Sequence, residues 1–176
     1  MRYLFTHLDD LWTLTVIHLR LSLIPIVLGL IIAVPIGALV QRTTALRRIT
    51  TITASIIFTI PSLALFVVLP LIIPTRILDE ANVIVALTLY TVALLVRAVP
   101  EALDAVSPAV LDAATAVGYK PLKRMIKVEL PLAVPVLIAS LRVVAVTNIS
   151  MVSVGSVIGG IRVDDVLEAI DEQRNE

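Results

Sequence analysis

In a chain of 176 residues that is 59% hydrophobic, two groups of polar side chains inside the apolar runs could do chemistry. Thr59-Ile60-Pro61-Ser62 sets a proline between two hydroxyls. Proline removes a backbone donor and frees carbonyls in mid-run, and Thr59 and Ser62 offer hydroxyls beside them. Arg142, Asn148 and Ser150 form the second group. Polar and charged groups at membrane depth are costly and face protein or water rather than lipid. Thr59, Pro61, Ser62, Asn148 and Ser150 are therefore candidates for lining a polar path, and Arg142 is expected in the interior. The competing readings are structural: a proline kink satisfied by its own threonine, and an arginine held in an ion pair. Asn148-Ile149-Ser150 also matches a glycosylation acceptor, but an acceptor inside an apolar span is out of reach. With no cysteine and only His7 and His18 as histidines, neither thiolate chemistry nor a metal site is expected.

The long charged segment between apolar blocks runs from Asp112 to Pro131. Ser107-Pro108 reads as a helix start, with a serine cap and proline in the first turn, and Gly118 reads as a stop. The helix between them places Val106, Val110, Ala113 and Val117 on one face. At about ten residues it is marginal alone in water, so that face must dock on something. A second short helix opens at Pro121, separates Leu122, Met125 and Ile126 from Lys123, Arg124 and Lys127, and is expected to end before Pro131. Two small helices hinged at Gly118 suit the groove of a soluble partner. Their basic residues equally suit anionic lipid headgroups.

The elements that position these groups are membrane helices. A mean hydropathy of +1.03 with only 16% charged residues leaves too little polar surface to cover a soluble globule. Apolar runs near the ~20 residues needed to cross a bilayer occur at residues 21–40, 51–73, 83–99 and 132–158, the second broken by Pro61 and Pro70. Residues 3–19 form an amphipathic lead-in, either a separate surface helix or a watery extension of the first span, with Trp12 as a headgroup-level anchor. Asp9 and Asp10 stand where a signal peptide would be basic, so the first span is expected to stay in the mature chain. Gly29 and Gly37 offer a face for close approach of another helix. Arg42, Arg47 and Arg48 mark one connection, and Arg97, Lys120, Lys123, Arg124 and Lys127 mark another. Both should be cytoplasmic, which puts the N-terminus, the 74–82 loop and the tail outside.

Asp112-Ala113-Ala114, then Gly118, then Val128-x-Leu130-Pro131 resembles the Glu-Ala-Ala…Gly…Ile-x-Leu-Pro loop of the membrane subunits of ABC importers, with changes at Asp112 and Val128. The resemblance implies an all-α, polytopic bundle of the type I importer permease kind. It makes Asp112, Ala113, Ala114, Gly118, Val128, Leu130 and Pro131 the ATPase-coupling residues, within a coupling segment at 101–130. Thr59 to Leu65 and the Asn148-Ile149 neighbourhood further resemble permeases for quaternary-amine osmoprotectants such as glycine betaine, carnitine and choline. The implied partners are cytosolic ATPase subunits, a second permease subunit (identical or a paralogue), an extracytoplasmic substrate-binding protein and membrane lipid, with no nucleic acid. The sequence has no Gly-x-x-x-x-Gly-Lys-[Ser/Thr] loop, so the chain is not expected to be an enzyme, and ATP and Mg belong to the separate ATPase. At 4% aromatics an aromatic cage for a quaternary ammonium is not expected within the spans.

The likeness is expected over residues 10–160 of a permease domain at 1–160. Members of that family continue with at least one more span, whereas 161–176, with Asp164, Asp165, Glu168, Asp171, Glu172 and Glu176, is an acidic polar tail that cannot cross. That departure keeps alternatives open: a non-transporting scaffold or assembly subunit, or a permease for another small solute such as an amino acid. A secondary transporter is disfavoured, because no carboxylate lies inside the four spans to couple an ion.

Overall fold

The computed structural model describes residues 8–60, 62–73 and 79–159. Helix α1 runs without a break over Leu8–Val40, with Pro25 and Pro35 inside it. Its 33 residues reach about 50 Å at 1.5 Å per residue, well beyond a ~30 Å hydrocarbon core. Of the two readings of the N-terminal lead-in, the described part is the extension of the first span rather than a separate surface helix. Residues 1–7 lie outside the described residues.

Helix α2 spans Thr44–Thr59. After it come α3, Ser62–Val68, and a single 3-10 turn at Leu69–Leu71. The two helical pieces meet at 91°, so the run expected at 51–73 is a broken element whose first helix starts earlier, at Thr44. Ile60 takes φ −67°, ψ 123°, the extended conformation that a following proline imposes on its neighbour. The basic connection expected at 41–48 shrinks to a turn at 41–43, and Arg47 and Arg48 sit in α2.

Helix α4, Glu80–Asp104, contains Pro100, where the sequence suggested an end. Buried residues occur along its whole length, from Asn82 to Leu103, because α1, α2 and the last long helix all pack on it. The unit expected in the cytoplasm comprises α5 at Pro108–Ala116, α6 at Pro121–Arg124 and a π-turn at Met125–Glu129. It runs directly into α7, Leu130–Gly159. No break occurs at Pro131, contrary to expectation. The π-turn explains why: the Leu130 amide donates to the Met125 carbonyl, five residues back, and the widened turn takes up a proline whose ring would crowd a regular one.

Side-chain register fixes direction. Gly29 lies against Thr91 and Gly37 against Val99, so α1 and α4 run parallel. Arg47 meets Asp104 and Arg97 meets Ser55, so α2 runs antiparallel to α4. Asn148 meets Thr91, while Val99, Leu103, Ala133 and Leu137 share one apolar cluster, so α7 is antiparallel to α4. Among the described residues three helices are long and apolar enough to cross a membrane, and four crossings result if the bent pair of α2 and α3 counts as one; the alternating directions fit that count. Three apolar clusters stack along the bundle: one around Phe66, Leu87 and Val152 at the outer end, one around Ile26, Leu95 and Val144 in the middle, and one around Val99, Leu103 and Leu137 at the cytoplasmic end.

The glycines of α1 matter because of their neighbours. A Cβ at Gly29 would stand 2.2 Å from Thr91 Cγ2, and one at Gly37 would stand 2.5 Å from Val99 Cβ. The two backbones therefore approach closely at these levels, as small residues permit between membrane helices.

Candidate functional site

The cytoplasmic unit is shaped by its caps. Ser107 occupies the N-cap position of α5 without a side-chain cap bond, and Pro108 follows in the first turn. At the other end Gly118 has φ +91°, a conformation that L side chains rarely adopt. Its amide donates to Thr115 O at 2.9 Å and the Tyr119 amide to Ala114 O at 3.1 Å, the paired bonds of a Schellman stop. A Cβ here would meet nothing within 4 Å, so the backbone and not crowding calls for glycine.

Of the face expected to dock, Val106 does and the other three residues do not. Val106 and Leu111, with Met125 and Leu130, join the cluster at the cytoplasmic end. Val110, Ala113 and Val117 are exposed, Val117 at 79%. Leu122 and Ile126 are exposed as well, at 64% and 55%. Apolar surface of this kind rimmed by charge marks an interaction site, and Asp112, Lys120, Lys123 and Lys127 are exposed charges on the same unit. Among the expected coupling residues, Asp112, Ala113, Gly118 and Pro131 are exposed, and Ala114, Val128 and Leu130 are half-buried.

Polar contacts that the sequence reading missed tie this unit together. Arg124 Nε donates to Glu129 Oε1 at 2.8 Å, and Arg124 Nη1 donates to Thr115 Oγ1 at 2.8 Å. Glu129 is only 5% exposed. Charge counting saw Glu129 only as the variable letter before Leu130-Pro131. The signal available was its spacing, since Met125, Glu129, Ala133 and Leu137 recur every four residues and are all buried. Nearby, Asp104 accepts from Arg47 at 2.7 Å and from Gln41 at 3.3 Å. An open cleft of about 410 Å³ between unit and bundle is lined by Gln41, Arg42, Asp104, Arg124 and Glu129 among others.

The intramembrane candidates separate. Thr59 is exposed and lines a groove of about 470 Å³ with Thr51, Ser55 and three isoleucines. Its hydroxyl donates to Ser55 O at 2.7 Å, and Ser55 donates to Thr51 O at 2.8 Å. Pro61 and the side chain of Ser62 lie outside the described residues. The carbonyl beside the break does not wait for a solute: Ile60 O accepts from the Tyr90 hydroxyl of α4, and Phe58 packs edge-on to the same ring. Asn148 is fully buried and donates to Thr91 Oγ1 at 2.9 Å. In this conformation it joins α7 to α4. Ser150 is exposed on α7. Arg142 is exposed too, which overturns its expected interior place within the chain. It falls on the α7 face opposite the α4-packing stripe, a face shared with Val146 and Ser150.

Comparison with known proteins bears on this arrangement. The family described as "Binding-protein-dependent transport system inner membrane component" matches residues 25–174, past Gly160, where the likeness was expected to end. The osmoprotectant import permease protein OsmW of Salmonella typhimurium is 32% identical over 164 residues, covering 90% of this chain and 75% of its own. The choline transport system permease protein OpuBB of Bacillus subtilis is 32% identical over 160 residues, covering 91% and 72%. From the same organism, the glycine betaine/carnitine/choline permease protein OpuCB shows the same identity and coverage. Among solved structures, an inward-facing MetNI methionine ABC transporter gives a TM-score of 0.72 at 24% identity, covering 81% of this chain and 71% of that one. That likeness is one of fold, the bundle of the type I importer permeases. Matched by one family over most of its length, with that family's fold, the chain belongs to the inner-membrane components of binding-protein-dependent transport systems.

Proposed function

We propose that this permease subunit imports a quaternary-amine osmoprotectant, of the glycine betaine, carnitine or choline class named for its relatives, and is driven by a separate cytosolic ATPase. The observation that carries the proposal is the exposure of Val110, Val117, Leu122 and Ile126 on the cytoplasmic unit, which also exposes Asp112 and three lysines and leads directly into α7. An exposed apolar surface on two short helices and a turn fits the groove of a soluble partner. Closure of the ATPase on ATP pushes the unit, and the spans tilt as near-rigid bodies to exchange outside for inside access. ATP and Mg are held by that partner, and an extracytoplasmic binding protein delivers the solute.

A second permease subunit completes the path. Arg142 at membrane depth must face protein or water, so the α7 face carrying Arg142 and Ser150 is the surface assigned to that partner or to the path between the two. Thr59 belongs to the same polar path. The test is uptake of radiolabelled glycine betaine into vesicles holding this chain with its cognate ATPase and binding protein. Uptake requires ATP, and Asp112→Lys or Gly118→Pro abolishes both uptake and co-purification of the ATPase. Intact protein that pulls down no ATPase, or variants with undiminished uptake, would sink the reading.

A further inference from the structure

The exposed apolar residues explain where a partner can push, but not how the push reaches α7. Between α5 and α7 stands Arg124, whose guanidinium bonds the last turn of α5 through Thr115 with one edge and Glu129 with another. Thr115 in turn donates to Leu111 O at 2.8 Å, and Leu111 packs into the cytoplasmic apolar cluster. Glu129 lies in the buried stripe by which α7 packs on α4, one turn below Ala133 and two below Leu137. Moreover, the π-turn at Met125–Glu129 inserts the extra residue that keeps Met125 and Glu129 on that one stripe.

An ion pair whose carboxylate is buried and whose guanidinium is half-buried is a poor way to gain stability, because desolvation cancels much of the attraction, and apolar residues of similar volume often serve as well or better. What an Arg–carboxylate pair supplies is direction, since its bonds fix both distance and angle. Here the direction runs from α5 to α7.

We infer that Thr115, Arg124 and Glu129 are positioning residues that convert displacement of α5 into tilt of α7, so that hydrolysis and transport stay linked. This inference rests on the proposed ATP-driven import. None of the three is among the exposed apolar residues offered to the partner: Thr115 is exposed but bonded to Arg124, Arg124 is half-buried and Glu129 is buried. The relay is therefore separable from docking.

The test is the ratio of glycine betaine taken up to ATP hydrolysed by the full complex in vesicles, measured with thermal unfolding of the same preparations. Arg124→Met/Glu129→Met keeps volume and removes both charges. The inference expects it to co-purify with the ATPase and unfold at the wild-type temperature, while the ratio falls at least about fivefold, the lower end of ordinary coupling effects. Thr115→Val cuts only the α5 end of the relay, outside the apolar cluster, and lowers the ratio without loss of ATPase binding. An unchanged ratio in either variant overturns the inference. So does a ratio that falls only in step with lost stability or lost ATPase. If the wild-type chain shows no ATP-driven uptake, the import proposal fails instead, and the two failures are told apart by that control.

Discussion

Thr91 serves two neighbours with different atoms. Its methyl fills the space over Gly29, and its hydroxyl accepts from Asn148. Gly29→Ala therefore overpacks the α1–α4 contact and should cost about 1–3 kcal/mol, read as a lower unfolding temperature in detergent. Adding Thr91→Ser removes the Cγ2 that stands closest while keeping the oxygen for Asn148, and should recover part of that loss. A loss untouched by the second change would mean that the crowding lies elsewhere. At this scale the sequence was half legible. Glycines eight residues apart in an apolar run announced a close approach, but the residue approached could not be read. Asn148 was noticed for its polarity and assigned to a path. Its burial depends on which face of α7 meets α4, which a run apolar on nearly every side conceals.

Among the elements, α5 tests whether backbone conformation or packing ends a helix. Gly118 has φ +91° and open space around it, so Gly118→Ala should cost about 1–2 kcal/mol from the backbone alone. Gly118→Asn should cost less, because asparagine tolerates that conformation better. Amide hydrogen exchange at residues 118 and 119 would register the loosened stop in that order, and equal effects of the two variants would count against a backbone origin. This stop was legible, since glycine after a short amphipathic stretch is a local signal. The π-turn before Pro131 was not, because it arises from joining two segments that the sequence suggested were separate. The same is true of the break at Ile60. Proline announced it, but its stabilisation by Tyr90 comes from a helix that begins 20 residues later.

For the whole molecule, helix direction and charge placement were read from independent features and point the same way. The basic turn at 41–43 and the unit at 105–129 lie at the end of the bundle where Asp104 meets Arg47, and Arg20 meets Glu80 at the other. Because the chain has no cysteine, single cysteines report cleanly. Thr43→Cys and Ala109→Cys should react with an impermeant maleimide only in inside-out vesicles, and Ala81→Cys only in right-side-out ones. Labelling of all three from one side would overturn the four-crossing arrangement. The parallel pairing of α1 with α4 has a further consequence, one of timing. Parallel neighbours cannot form a hairpin, so the glycine face of α1 emerges from the ribosome roughly 60 residues before the helix that covers it, a wait on the order of 3–12 s at ordinary synthesis rates. During that interval a groove shaped for Thr91 and Val99 stands open in the bilayer. Biogenesis of this chain then depends on what shields the groove until α4 arrives.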